Sequence, residues 1–153
     1  MSFAKAILSG FVGACTVTLI HETARRSIPN APRMDILGMR AISKSLRTLG
    51  VQPPESKRLH TTALIGDILA NSLYYSLVGV GREKSVVLRG AGLGIAAGVG
   101  GVMLPEPLGL GSRPSGRSNA TKVMTIGWYL AGALAAAAAY KFLTMQSNPE
   151  SII

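Results

Sequence analysis

Acidic side chains, aromatics and cysteine are all scarce in this chain, and each scarcity removes a class of function. There is one cysteine, Cys15, so neither an internal disulfide nor an all-cysteine metal site can form. Cys15 lies within an apolar run, where a free thiol behaves as a small hydrophobe. The two histidines, His21 and His60, sit at opposite ends of one connector. His21-Glu22 would begin a zinc-binding HExxH, but Arg25 occupies the place of its second histidine, so metal binding is not expected. No nucleophile–base pair and no GxGxxG register following a strand is found, which argues against an enzyme and against a cofactor. Charged residues make up 15% of the chain, against about 25% in soluble domains.

What the chain has in quantity is apolar length. Of its 153 residues 48% are hydrophobic and 18 are glycine, and the mean hydropathy is +0.34. Glycine is commoner in transmembrane helices than in soluble ones. The formal net charge of +9 falls between apolar runs rather than along one soluble face. Its natural counterpart is therefore the anionic lipid headgroup, not nucleic acid.

The central stretch is Thr61–Val80, long enough to cross a roughly 30 Å hydrocarbon layer as a helix. It carries Asp67 and Asn71, polar groups that lipid does not tolerate unsatisfied. Three other apolar segments accompany it. The first, 3–20, ends at His21-Glu22 and Arg25-Arg26, where arginines would snorkel to headgroups. Val12-Gly13-Ala14-Cys15 faintly suggests a lipoprotein cleavage site. The run continues through Leu19 and Ile20, however, and is expected to be a retained helix. The third, 86–104, follows the second after a tight connector and should run antiparallel beside it. It presents Gly90, Gly94 and Gly98 at four-residue steps, the spacing that lets helices approach closely in lipid. The fourth, 123–143, has Trp128 and Tyr129 toward one end and Tyr140 toward the other, as a headgroup belt would.

The connector between the first two spans contains Pro29 and Pro32, which disfavour helix at the preceding residues. A helical pattern returns over 33–49. There Met39, Ile42, Leu46 and Leu49 share one face and Arg40, Lys44 and Arg47 the other. Two readings stand: an interfacial helix lying on the membrane, or a cap packed on the bundle. Between the third and fourth spans, 108–119 is a polar loop expected to lack regular structure. The expected fold is thus all-α: a single polytopic membrane domain of four transmembrane helices plus one amphipathic interfacial helix. Of the sixteen Lys and Arg, eleven fall on the side of the long connector and five on the other. The positive-inside tendency then puts both termini on the non-cytoplasmic side. Ile65-Gly66-x-x-Leu69-Ala70 and Ile126-Gly127-x-x-Leu130-Ala131 hint at a duplication, each half being helix, connector, helix.

Asp67 lies about two turns into its span, roughly 10 Å at 1.5 Å per residue, with Asn71 and Tyr74 continuing its face. His21 and Arg25 end the first span on the same side. This candidate intramembrane cluster of Asp67, Asn71, Tyr74, His21 and Arg25 admits two roles. One is an interhelical clamp in which His21 or Arg25 bonds Asp67, and the other is a proton or cation site. Glu22 with His21 and Asp67 could also titrate together.

The succession Gly10-Phe-Val-Gly13, Ala31-Pro32-Arg33-Met34-Asp35, Gly66-Asp67, Asn71-Ser72 and Tyr74-Tyr75 resembles small, uncharacterised bacterial inner-membrane proteins with four predicted helices. That resemblance implies a helical fold and a multi-pass location in the cell membrane, and it transfers no activity. The small multidrug exporters place a carboxylate in their first span, and this chain has none there. The expected function is a non-enzymatic scaffold or accessory subunit that binds anionic lipids or protein partners, as a homo-oligomer or in a larger membrane complex. A small transporter or channel using Asp67 and Asn71 is the alternative.

Overall fold

A computed structural model describes residues 2–146, and across these every regular element is a helix. The long helices are α1 (Phe3–Ser27), α3 (Ser56–Ser76), α4 (Val86–Met103) and α6 (Asn119–Met145). Two shorter helices, α2 (Met34–Thr48) and α5 (Arg113–Gly116), lie in the connectors, and single 3-10 turns occupy Leu77–Gly79 and Glu83–Ser85. Three helices are long and apolar enough to cross a membrane: Phe3–Ser27, Glu83–Met103 and Asn119–Met145, of 25, 21 and 27 residues. The stretch expected as a further span falls on α3, which is not among them. Its first turns carry Lys57, Arg58 and His60, and its middle carries Asp67 and Asn71.

Helix ends follow local chemistry more than hydropathy. α1 runs well past Ile20, because nothing in His21–Ser27 breaks a helix. It stops at Ile28, which precedes Pro29 and is extended (φ −112°, ψ 116°). α6 begins before its apolar run because Ser118 caps it, its Oγ accepting from the Thr121 amide at 3.1 Å. The loop expected to be irregular contains α5, with Pro114 in its first turn.

Packing departs from the expected order in one respect. α4 packs chiefly on α6 rather than on its sequence neighbour α3, and α3 packs on α1 and α2. Each half of the chain is therefore a packed pair of long helices joined through a shorter one, and α1 and α6 unite the halves. Glycine makes these approaches close. A Cβ on Gly94 would sit 2.6 Å from the Leu130 Cα, and one on Gly98 would sit 2.5 Å from the Ile126 Cα. Gly90 meets Ala133 and Ala137 in the same seam. Gly13 and Gly132 bring α1 onto α6, and beside them Tyr75 is fully buried, donating to the Tyr129 carbonyl at 2.9 Å.

The outer faces are apolar. Phe11 and Leu19 on α1, Leu88 and Met103 on α4, and Val123 and Phe142 on α6 are all exposed. So are Ile65, Leu69, Leu73 and Leu77, one stripe along α3 and its terminal turn.

Candidate functional site

Where α1 ends, α2 begins and α3 passes behind both, the polar side chains of the bundle collect. The prolines between α1 and α2 reverse the chain, so Glu22 and Arg25 on one helix face Arg33 and Asp35 at the start of the next. Arg25 forks onto Glu22, with Nε to Oε1 at 2.9 Å and Nη2 to Oε2 at 2.6 Å. Arg33 forks onto Asp35 in the same way, at 2.9 and 2.8 Å. Arg25 also lies 3.8 Å from Asp35, whose side chain is only 4% exposed. Bidentate pairs of this kind are among the stronger charged hydrogen bonds. Burial opposes ionisation of Asp35. The hydrogen bond and charge of Arg33, the Ile36 amide and the charge of Arg25 outweigh it and hold this carboxyl below its ordinary range.

Asp67 stands beside this network and is not part of it. Its Oδ1 accepts from Asn71 Nδ2 at 3.0 Å and its Oδ2 from Thr18 Oγ1 at 3.4 Å. α1 and α3 are thus joined through Thr18, not through the His21 or Arg25 bond that the sequence suggested. Arg25 is held by Glu22 and Asp35 instead. Tyr74, expected on the Asp67 face, crosses toward α4 and donates to the Leu93 carbonyl at 2.9 Å. His21 is buried edge-on between Trp128 and Tyr129, with ring centroids 5.3 and 5.5 Å away, and its Nε2 has no hydrogen-bond partner among the described residues. Beside Asp67 and His21 lies a cavity of about 20 Å³ whose lining includes Thr18, Glu22, Asp35 and His60. That is room for about one water.

Of the expected cluster, the fold brings His21, Asp67 and Asn71 together, turns Tyr74 away and gives Arg25 to other partners. Thr18, Arg33, Asp35, His60 and Trp128 were missed as members. A fork between residues two apart, as in Arg33 and Asp35, leaves no trace in helical periodicity. Thr18 is a hydroxyl inside an apolar run, of the kind that ordinarily bonds back to its own helix carbonyls, so nothing local marks it as a partner of Asp67. Among the described residues, no group of three or more His, Cys, Asp or Glu is placed to hold a metal ion. A lone water-sized pocket between carboxylates and imidazoles can bind water or exchange a proton.

The basic residues of α2 form a second polar region. Arg40 Nη1 donates to the Leu110 carbonyl at 2.7 Å and Lys44 Nζ to the Leu108 carbonyl at 2.6 Å, while Arg47 is exposed one turn on. α2 is thereby tied to the loop after α4 as well as to α3, where Gly38 sits against Ala63. Its one buried residue is Leu37, not a member of the expected Met39–Leu49 face. No protein family, curated protein or solved structure matches this chain.

Proposed function

We propose that the chain is a non-enzymatic, multi-pass membrane scaffold or accessory subunit that binds lipid and protein partners, with α3 as its fourth span. The observation that carries this reading is the two-sidedness of α3. Ile65, Leu69, Leu73 and Leu77 are turned outward, while Asp67 and Asn71 bond one another and Thr18 on the inner side. That is how a span with an internal acid satisfies it and still offers apolar surface to lipid. The polar cluster then acts as a structural tie between α1, α2 and α3. The basic side of α2, with Arg40, Lys44 and Arg47, faces anionic headgroups on the cytoplasmic side, and both termini lie opposite.

The test is extraction and copurification. The chain should resist alkaline extraction from membranes and, in mild detergent, elute with a partner or as an oligomer. A folded monomer in plain buffer without detergent would end this reading. The second reading, a small transporter or channel, is favoured by the cavity beside Asp67 and His21. Wild type and Asp67→Asn in liposomes loaded with a pH- or ion-sensitive dye decide it. Absence of flux in the wild type across common ions removes transport, and loss of folding in the variant supports the structural tie.

A further inference from the structure

Because α3 packs on α1 and α4 on α6, a crevice remains between α3 and α4, and α2 lies over one end of it. The crevice has a volume of about 590 Å³, within the range of small-molecule sites. Leu37, Ala70, Tyr74, Ala96 and Leu104 are among its walls. It is open toward the apolar exterior. Leu110 lines both this crevice and a second cleft, of about 980 Å³, whose lining includes Arg40, Lys44 and Arg47. No acidic side chain is among the described residues lining that cleft. Arg40 and Lys44 are held in place by the Leu110 and Leu108 carbonyls, and each group retains further N–H donors. Gly109 and Gly111, at φ +68° and +80°, give the loop the turn that puts those carbonyls in reach.

We infer that this joined crevice and cleft is a binding site for one anionic phospholipid, an acyl chain lying between α3 and α4 and the phosphate held by Arg40, Lys44 and Arg47. The inference rests on the membrane reading above and goes beyond it by naming a stoichiometric site. Charge decides between occupants. A second copy of the chain would need to present acid to three cations. Among the described acids, Glu22 and Asp35 are committed to arginines, Asp67 is bonded inside the bundle and Glu106 accepts from the Ser112 amide, while the exposed Glu55 and Glu83 flank opposite ends of α3, so no one face gathers three free carboxylates. A phospholipid supplies the negative group and the apolar tail in one molecule.

The experiment uses the full chain, delipidated in mild detergent and titrated with phosphatidylglycerol or phosphatidylcholine, with bound lipid counted by native mass spectrometry. Wild type should retain one phosphatidylglycerol per chain, with about tenfold or greater preference over phosphatidylcholine. The triple variant Arg40→Gln, Lys44→Gln, Arg47→Gln should lose most of that preference. Ala96→Phe, which obstructs the crevice at an exposed position, should weaken retention of both lipids about tenfold. Equal retention of the two lipids by wild type, or wild-type retention in both variants, overturns the site. So does a lipid-free dimer that Ala96→Phe dissociates, which would make the crevice a contact between copies. Alkaline extraction run in parallel separates the two failures. A chain that stays in membranes without a preferred lipid loses only this site, whereas one that leaves them loses the membrane reading as well.

Discussion

Single glycines divide into those that hold two helices together and those that do not, and the difference is measurable. At Gly94 and Gly98 any side chain would meet backbone of α6, which cannot move aside without separating the helices. Gly94→Val should therefore cost about 1–3 kcal/mol through overpacking, read as a lower unfolding temperature in detergent. Gly92 is in the same helix and faces open space. Gly92→Ala should raise stability by about 0.4–1 kcal/mol, because alanine restricts the unfolded chain and fits the helix. If both substitutions moved stability equally, the seam between α4 and α6 would not depend on close approach. The four-residue spacing of Gly90, Gly94 and Gly98 was legible in the sequence. That their partner is α6 rather than α3 was not, since spacing names a face and never its neighbour.

Among elements, α2 shows how a connector is positioned by charge. Its start is pinned to the end of α1 by the Arg33, Asp35, Arg25 and Glu22 network, and its later turns by Arg40 and Lys44 on the loop after α4. The Asp35 carboxyl ionises below its ordinary range in the folded chain. Its contribution is thus present above the unfolded value near 4 and is lost as pH falls through the lower, folded one. Docking of α2 should accordingly weaken under acid, seen as faster proteolysis of the connector or loss of hydrogen-exchange protection in α2. Asp35→Asn should lower stability by about 1.5–3 kcal/mol at neutral pH and flatten that acid dependence. An unchanged acid profile in the variant would assign the dependence to another carboxylate.

For the molecule as a whole, apolar surface decides the surroundings. Phe11, Leu88, Leu73 and Phe142 leave large apolar side chains exposed on all four long helices, a surface that suits lipid better than water. Orientation is then a separate question, answered by labelling. In a Cys15→Ser background, a cysteine at Ser43 on α2 should react with a membrane-impermeant maleimide only from the cytoplasmic face, and one at Ser2 only from the other. The reverse pattern would show that the eleven-to-five distribution of Lys and Arg does not set the topology here.

Composition and apolar run length, both additive along the chain, were enough to determine the helical class, the long segments and the need to satisfy Asp67. The tertiary structure alone decided that Thr18 joins Asn71 in meeting that need, that Arg25 goes to Asp35 as well as to Glu22, and that a crevice opens between α3 and α4. Those outcomes depend on which helices become neighbours. That choice is made by surfaces meeting across distant parts of the chain, which no local pattern records.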